Sequence, residues 1–247
     1  MCLASQFFPR QTPRLLQNFL VMKFTYYGHA CFAVETGGKT LLFDPFVSSN
    51  DLARDAGVTA GKLAADAILV SHGHFDHIGD AQDIAIRTGA PVVGCYELCS
   101  WLAQAGTPEI RPLNLGGTAD LGFCRAKFVA AAHSSVLPDG THGGAAGGFY
   151  VNTAEGNFYY AGDTALTMDM DLLDKEPEFA VLPIGGVFTM GVADAVRSAQ
   201  MLSVKTVVGV HYNTFPPIAI DAKAAIKTFA DAEIQLLLPP IGESIEF

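Results

Sequence analysis

Apolar runs of strand length recur along the chain from residue 23 onward. The run over 23–36, a Gly-Gly turn and the run over 39–44 predict consecutive strands joined by tight connections. A short apolar strand over 65–72 then leads directly into a polar loop that is rich in histidine. The first part of the chain is therefore predicted to begin with strand hairpins.

Helical patterns follow this loop. Asp80 is predicted to cap a helix over 80–89 that stops at Gly89, because a short polar side chain can accept from the first free N–H groups and glycine tolerates the left-handed end. A strand over 91–94 and a helix over 95–106 come next. The pattern thus changes from hairpins to alternating strands and helices.

The second half of the chain repeats this order. Its predicted strands cover 124–133, 147–153, 157–163, 178–184, 205–211 and 234–239, and its predicted helices cover 192–203 and 221–232. Hairpins followed by strand–helix units in each half predict an α/β fold in which two sheets pack together with helices outside. No linker or change of composition interrupts 22–247, which is predicted to be one domain.

The first 21 residues differ from the rest. Their apolar stretch follows two arginines but is broken by Gln17 and Asn18, and no convincing small-residue cleavage site follows it, so a secretory signal is not indicated. Residues 1–21 are predicted to be a disordered or mis-started extension, with Met22 as the alternative start.

Composition narrows the class of protein. The 247 residues are 50% hydrophobic and 16% charged, which suits a globular domain with a large core. The formal net charge of −10 argues against a non-specific nucleic-acid binder, but it permits a small anionic substrate because a metal ion can dominate the field in a cleft. No apolar run approaches the roughly 20 residues that span a bilayer, so no membrane partner is predicted.

The cysteines indicate the compartment. Their odd number of five and their unpaired spacing favour a reducing environment, predicted to be the cytoplasm. An apolar surface that carries few charges is also compatible with a homo-oligomer.

The strongest chemical signal is the segment SHGHFDHIGD over 71–80. It places His72, His74, Asp76 and His77 within six residues, directly after a buried strand. Imidazole nitrogen and carboxylate oxygen are ligands that zinc, manganese and iron accept, and a strand that turns into a loop can direct such side chains into neighbouring pockets. The segment therefore predicts a metal site.

This segment resembles the H-x-H-x-D-H motif of the metallo-β-lactamase superfamily. The resemblance implies a four-layer αββα sandwich, and it calls for a later His, an Asp and a last His, each at the end of a strand. His133, Asp163 and His211 fall in that order at the ends of predicted strands. Seven residues that are far apart in the sequence are thus predicted to form one ligand set.

The resemblance also implies how these ligands are divided between two divalent ions. One ion would be held by His72, His74 and His133 and the other by Asp76, His77 and His211, with Asp163 bridging both. Two close dications need an anionic bridge, and a water between them is acidified to the hydroxide nucleophile. Asp76 and Asp163 are the predicted catalytic carboxylates. Zinc is the favoured ion, with manganese or iron as alternatives.

The flanking segments resemble one branch of the superfamily. YYGHACFAVETGGKTLLFDPF, YAGDTALTMDM and HYNTFPPI are similar to small metal-dependent hydrolases related to L-ascorbate-6-phosphate lactonase. The implied function is hydrolysis of an ester, lactone or phosphodiester in a small-molecule substrate. The alternatives are a non-catalytic metal-binding or nucleotide-sensing module and a di-iron oxidoreductase. A complete ligand set with an open bridging position disfavours the module, because structural metal sites are normally closed.

Single polar residues near these motifs are candidates for further roles. His29 is either a catalytic residue that orients substrate or leaving group, or a structural histidine. Asp44 either hydrogen-bonds the outer nitrogen of a metal-bound histidine or ends a turn. The candidate substrate-binding residues lie in loops near the predicted ligands and are Ser134, His142, Thr189 and Asn213. A helix start beside Thr189 could receive a phosphate or carboxylate, and a turn role is the alternative for Asn213.

Overall fold

Strands provide most of the regular structure, as the apolar runs predict. The structure is a computed structural model that describes residues 21–173 and 176–247. Of the predicted extension over 1–21, all but Val21 lies outside the described residues. The strands are β1 (Lys23–Gly28), β2 (Cys31–Thr36), β3 (Lys39–Phe43), β4 (Ala67–Leu69), β5 (Val92–Cys95), β6 (Ile110–Leu113), β7 (Thr118–Asp120), β8 (Cys124–Ala130), β9 (Gly147–Thr153), β10 (Asn157–Tyr160), β11 (Phe179–Pro183), β12 (Thr206–Val210), β13 (Gln235–Leu237) and β14 (Ser244–Glu246).

Short helices connect many of these strands. Over the described ranges they are α1 (Asp51–Asp55), α2 (Phe75–Ile78), α3 (Ala81–Thr88), α4 (Tyr96–Gln104), α5 (Val192–Met201) and α6 (Ala222–Asp231). Asn50 and Asp221 cap α1 and α6, because each side chain accepts hydrogen bonds from two N–H groups of the first helical turn. Within the part of the chain that is described, no helix has the length and apolar character needed to cross a lipid bilayer.

The strands form two seven-stranded sheets that are built in the same way. The first sheet has the order β14-β1-β2-β3-β4-β5-β6 and the second the order β13-β12-β11-β10-β9-β8-β7. In the first, β1, β2 and β3 pair antiparallel and β3 to β6 pair parallel. In the second, β7 to β10 pair antiparallel and β10 to β13 pair parallel. The predicted order of hairpins followed by strand–helix units is confirmed.

Aromatic side chains fill the space between the two sheets. The ring of Phe43 lies 6.2 Å from that of Phe149 and 5.8 Å from that of Phe158, and Phe24 lies 6.5 Å from Phe179 across the same interface. All five rings are fully buried. Burying one such side chain contributes roughly 1.5–3 kcal/mol, so this layer supplies a large share of the force that holds the sheets together.

Helices cover the outer faces of both sheets. Residues such as Ala199 of α5 and Phe229 of α6 are buried in one cluster with Val207 of the second sheet. On the first sheet, Ile84 of α3 and Leu98 of α4 belong to the main core. The molecule therefore has four layers, and the predicted αββα sandwich is confirmed.

Some element boundaries differ from the prediction. The strand β8 ends at Ala130 and β10 ends at Tyr160, so His133 and Asp163 lie in the loops after these strands rather than at their ends. The short strands β6, β7 and β14 have no counterpart in the predicted elements. Each lies near or at a sheet edge, where partly exposed residues give little apolar alternation.

The predicted cap at Asp80 is wrong, although the helix begins and ends as predicted. Asp80 occupies the position before α3 but makes no side-chain hydrogen bond to that helix. Its Oδ2 instead accepts from the N–H groups of Val47, at 2.6 Å, and Ser48, at 2.9 Å. The loop after β3 needs an acceptor for these N–H groups, and the buried carboxylate supplies it. Gly89 ends α3 with a φ of 73°.

Candidate metal centre

The seven predicted ligands meet at one edge of the sandwich. The loop that carries the first four follows β4, while His133 follows β8, Asp163 follows β10 and His211 follows β12. Because β10, β11 and β12 are parallel, the residues after β10 and β12 emerge at the same edge of the second sheet. Ligand-type atoms form overlapping groups there, and within each group they all lie within 4.8 Å of one another.

The first of these groups, here called the first donor set, consists of His72, His74 and His133. Nε2 of His72 is 2.9 Å from Nδ1 of His74, and the ring centroid of His133 is 5.0 Å and 5.1 Å from theirs. His72 is fully buried, whereas His74 and His133 are partly exposed. The Oγ of Ser71 lies 2.9 Å from Nδ1 of His72, which leaves the other ring nitrogen for the site.

The second donor set consists of Asp76, His77 and His211, which are grouped together with His29. Nε2 of His211 is 3.9 Å from Oδ2 of Asp76, and the rings of His77 and His211 stack with their centroids 5.7 Å apart. Both histidines are buried. This set is the less exposed of the two.

Asp163 lies between the two donor sets. Its Oδ2 is 3.3 Å from Nε2 of His77 and 3.0 Å from Nε2 of His211 in the second set, and 3.6 Å from Nε2 of His133 in the first. The preceding Gly162 has a φ of 62°, and a Cβ at this position would collide with the carbonyl oxygen of Gly147. Glycine is therefore required for the turn that brings Asp163 to the site.

A buried carboxylate supports the second donor set. Asp44 accepts hydrogen bonds from the N–H and Oγ of Ser71, at 2.7 and 2.6 Å, from Nδ1 of His77, at 2.7 Å, and from the hydroxyl of Tyr160, at 2.5 Å. The bond to His77 fixes that ring so that its Nε2 faces Asp163. Asp44 thus occupies the predicted place at the outer nitrogen of a predicted ligand. Ser71 and Tyr160 were not predicted to take part.

His29 does not occupy the predicted catalytic position. Its side chain is buried and does not line the cleft described below. Nε2 lies 3.1 Å from Oδ2 of Asp76, and Nδ1 lies 2.9 Å from Oγ1 of Thr214. Burial lowers the pKa of His29 to about 4, so the neutral ring donates to the carboxylate and accepts from the hydroxyl. The ring therefore positions Asp76 through bonds to side chains, whereas the alternative of a structural histidine predicted bonds to the backbone.

Backbone strain is concentrated at the site. Five non-glycine residues here have positive φ angles, and they are His29 (55°), Asp44 (39°), Val187 (60°), His211 (55°) and Asn213 (58°). The N–H of His211 donates to the carbonyl of His29 at 2.8 Å, which ties two of the strained turns together. Such conformations cost on the order of 1–3 kcal/mol each and persist where the surrounding structure requires them.

The two carboxylates are held in their ionised forms. Burial disfavours ionisation of Asp163, but the charges of His77 and His211 outweigh it and keep its pKa well below the usual value. Burial likewise opposes ionisation of Asp76, and the hydrogen bond from His29 lowers its pKa in spite of that. Both groups are therefore anionic at neutral pH, as metal ligands must be.

The imidazoles of the first donor set are held in their neutral forms. Burial lowers the pKa of all three side chains, which are His72, His74 and His133. A neutral imidazole has one nitrogen lone pair to offer a metal ion.

Unpaired buried atoms also fit a metal site. Nε2 of His77 and Oδ1 of Asp163, which both face the site, are buried and have no hydrogen-bond partner. Leaving such atoms unpaired costs free energy, and they persist where a ligand or ion satisfies them. Nitrogen and oxygen donors in this number fit divalent cations of the zinc, manganese or iron type.

A cleft of about 780 Å³ opens above these residues. Its base contains members of both donor sets and Asp163. Its walls are mainly apolar and consist of Phe75, Val136, Val187, Phe188, Phe215 and Pro217. None of these wall residues was predicted, although Phe75 and Phe215 are sequence neighbours of predicted ligands. An apolar residue in a sequence is ordinarily assigned to the core, so only coordinates reveal such a wall.

One of the four predicted substrate-binding residues lines the cleft. Ser134 does so, and its Oγ is 3.4 Å from Nε2 of His74. His142 is exposed outside the cleft, and its Nδ1 accepts from the N–H of Gly144. Oδ1 of Asn213 accepts a hydrogen bond from the N–H of Ile220, as expected for the alternative role in a turn.

Thr189 also lies outside the cleft lining. Its N–H and Oγ1 bond to the carbonyl groups of Gly186 and Met190 within its own loop. Local turn hydrogen bonds thus account for Thr189, as they do for His142 and Asn213.

Comparison with known proteins matches this geometry. A family model described as Beta-lactamase superfamily domain matches residues 23–211, a range that begins with β1 and ends with the last predicted ligand. The chain belongs to the metallo-β-lactamase superfamily. A UPF0173 metal-dependent hydrolase of Methylacidiphilum infernorum is 50% identical over 226 residues, which cover 91% of this chain and 99% of that protein. A relative with the same description from Christiangramia forsetii is 44% identical over 227 residues, 91% of this chain and 100% of its own.

A solved structure supports the same assignment. Igni18, a metallo hydrolase from the archaeon Ignicoccus hospitalis, superposes with a TM-score of 0.83 at 32% identity, covering 92% of this chain and 98% of its own. This metallo-β-lactamase protein is therefore grouped with metal-dependent hydrolases, as the sequence predicts. Its relation to L-ascorbate-6-phosphate lactonase stays a prediction, because these relatives are named as hydrolases without a substrate.

Proposed function

We propose that this protein is a hydrolase that binds two divalent cations, one at each donor set, and cleaves an ester, lactone or phosphodiester bond in a small molecule. Asp163 bridges the two ions in this proposal. The prediction that the protein acts in the cytoplasm is kept with it.

The position of Asp163 carries the proposal. Its Oδ2 lies within 3.6 Å of imidazole nitrogens from both donor sets, and its Oδ1 is buried without a partner. A carboxylate in that position can offset the repulsion between two nearby cations, because each of its oxygens can serve one ion. A site for a single ion would not need nitrogen donors on both sides of Asp163.

The ions would supply an acidified water as the nucleophile and would polarise the oxygen of the substrate bond. Zinc is the favoured ion, and manganese or iron accept the same mixture of nitrogen and oxygen donors. The chain contributes the fixed geometry. Asp44 orients His77, His29 holds Asp76, and Ser71 orients His72.

The cleft favours an enzyme over a non-catalytic module. His74, Asp76, His133, Asp163 and His211 all reach the cleft surface, where a small molecule can approach them. A metal that only stabilises a fold is normally enclosed by its ligands. The di-iron oxidoreductase alternative needs bound iron and redox turnover, which elemental analysis of the purified protein and a redox assay would detect.

The test is hydrolysis by protein loaded with Zn²⁺, Mn²⁺ or Fe²⁺ on a panel of phenyl esters, lactones and aryl phosphodiesters. We expect metal-dependent turnover, and Asp163→Asn lowers kcat/KM by roughly 10³-fold because several kcal/mol of transition-state stabilisation are lost. Asp83→Asn, at an exposed carboxylate on α3, serves as the matched control and retains the wild-type rate. Turnover that persists in Asp163→Asn would contradict the proposal.

A further inference from the structure

The walls of the cleft expose an unusual amount of apolar surface. Phe75 is 58% exposed, Val136 44%, Val187 73% and Phe188 55%. These four belong to three separate loops or helices, so they are not a by-product of one poorly packed segment. A contiguous apolar surface of this kind beside a polar base is typical of a ligand-binding site.

Contact with a buried aromatic ring holds part of this wall rigid. The ring of Phe75 is 6.5 Å from that of Phe215, and both contact Phe46, at 5.7 and 6.5 Å. Phe46 is only 2% exposed and belongs to the buried interior. The exposed rings are therefore presented by a fixed aromatic platform, which lowers the entropy cost of binding a flat or aliphatic group.

A strained turn presents the remaining wall residues. Gly186 and Val187 have φ angles of 69° and 60°, and the N–H of Gly186 donates to Met190 at 3.0 Å, which closes the turn. A β-branched residue is strongly disfavoured in this left-handed region. The turn nevertheless leaves Val187 and Phe188 exposed at the cleft rather than buried. Strain of this kind is concentrated at binding sites.

In the described part of the chain, the walls of the cleft offer no cationic side chain to an anionic group of a ligand. Among the described residues that line the cleft there is no lysine or arginine, and its carboxylates are the predicted ligands Asp76 and Asp163. The whole chain also carries a net charge of −10. A phosphate or carboxylate group on a substrate would find no cationic side chain in the cleft walls, whereas an alkyl or aryl group would find six apolar ones.

We infer that the cleft selects esters or lactones that carry an uncharged, apolar alkyl or aryl group, and that Phe188 and Phe215 recognise that group. The inference rests on the proposed function, because the bond to be cleaved must lie over the donor sets. It narrows that function to substrates whose group away from the scissile bond is uncharged and apolar, because that group lies against the walls and not over the donor sets.

The test compares three methyl esters with metal-loaded protein, namely methyl acetate, methyl hexanoate and monomethyl adipate, so that the acyl chain is the one apolar group that can reach the wall. The last two have chains of equal length and differ in a terminal carboxylate. We expect kcat/KM to rise at least about tenfold from acetate to hexanoate, since burying only two of the four additional methylenes, at a few-fold each, gives about that factor. The adipate should fall below the hexanoate by at least about tenfold, because its carboxylate must be desolvated without a cationic partner.

Substitutions in the cleft wall test whether its apolar residues cause the preference for the hexanoate. Phe188→Ala should reduce the ratio of hexanoate to acetate by about fivefold, mainly through KM for the hexanoate. Ile226→Ala, at a 45% exposed hydrophobic residue on α6, is the matched control and leaves the ratio unchanged. The dissociation constant of N-phenylhexanamide, measured by calorimetry, gives a second readout that does not depend on turnover, and Phe188→Ala should weaken this binding.

The outcomes separate the inference from the proposed function. Equal rates for acetate, hexanoate and adipate would overturn the inference and leave the hydrolase intact. Absence of hydrolysis of these esters and of the lactones and phosphodiesters of the first panel, with binding of N-phenylhexanamide still weakened by Phe188→Ala, would contradict the hydrolase and support the apolar specificity. A dimer in solution that Phe188→Ala dissociates would overturn the inference, since a second copy of the chain would then cover the wall.

Discussion

The two donor sets are held in different ways. In the second set, His77 is fixed by Asp44 through a buried hydrogen bond, and Asp76 is held by the buried ring of His29. In the first set, His74 and His133 are partly exposed, and outside the set itself His74 is contacted by the hydroxyl of Ser134, at the long distance of 3.4 Å. The second set is therefore rigid, whereas the first lies where substrate arrives. We expect the second set to bind its ion more tightly.

Removing the support of the second set should have the largest effect. Asp44→Asn replaces an acceptor of four hydrogen bonds by a group that must donate within the same buried site. We expect the free energy of unfolding to fall by about 3–5 kcal/mol and the affinity of the second set for Zn²⁺ to fall roughly 10–100-fold. Chemical denaturation and competition with a chelator measure the two quantities.

The matched control for Asp44 is a partly exposed carboxylate in an ion pair. Asp66 lies 2.9 Å from Nζ of Lys39 at the surface, and Asp66→Asn should change the stability by no more than about 1 kcal/mol. Equal losses in Asp44→Asn and Asp66→Asn would show that the buried network does not distinguish the second set.

A smaller effect is expected at His29. His29→Ala removes the donor to Asp76 and should lower the Zn²⁺ affinity of the second set about tenfold. His142→Ala is the control, because His142 was also predicted as a site residue but lies exposed outside the cleft. A variant of His29 that binds metal normally yet loses turnover would instead indicate direct catalysis.

Substitution of Thr214, the hydroxyl partner of His29, should have a smaller effect on Zn²⁺ affinity than His29→Ala. Thr214→Val removes the hydroxyl that lies 2.9 Å from Nδ1, at a cost of about 1 kcal/mol. That corresponds to roughly a fivefold loss of Zn²⁺ affinity if the whole cost reaches the site. Thr228→Val on α6, where the hydroxyl bonds only to the carbonyl of Ala224, is the control for the loss of a threonine hydroxyl.

The smallest effect is expected in the first set. Ser134→Ala removes a contact of 3.4 Å, which is long for a hydroxyl hydrogen bond, so the Zn²⁺ affinity should change by less than about twofold. A change as large as that of His29→Ala would remove the distinction between the two donor sets.

The sequence predicted the donors better than their supports. The spacing of His72, His74 and His77 within one loop is a local pattern, and polar residues after apolar strands mark Asp163 and His211. The hydrogen bonds of Tyr160 to Asp44 and of Thr214 to His29 join residues that are far apart in the chain, and no local pattern signals them.

Isolated polar residues in loops were the weakest predictions. His142 and Asn213 were assigned to substrate because they follow predicted ligands, and Thr189 because it lies beside a helix start, but each bonds to backbone within its own loop. Proximity in sequence does not fix the direction of a side chain in a loop. Exposure of Val187 and Phe188 could not be predicted either, since apolar residues are ordinarily buried.

The most direct test counts the metal ions. After dialysis against excess Zn²⁺ and removal of loosely bound metal, elemental analysis should give two ions per chain for the wild type. The double variant His74→Ala/His133→Ala should give one, because it keeps the second donor set intact. One ion in the wild type, or two in the double variant, would contradict a two-metal site bridged by Asp163.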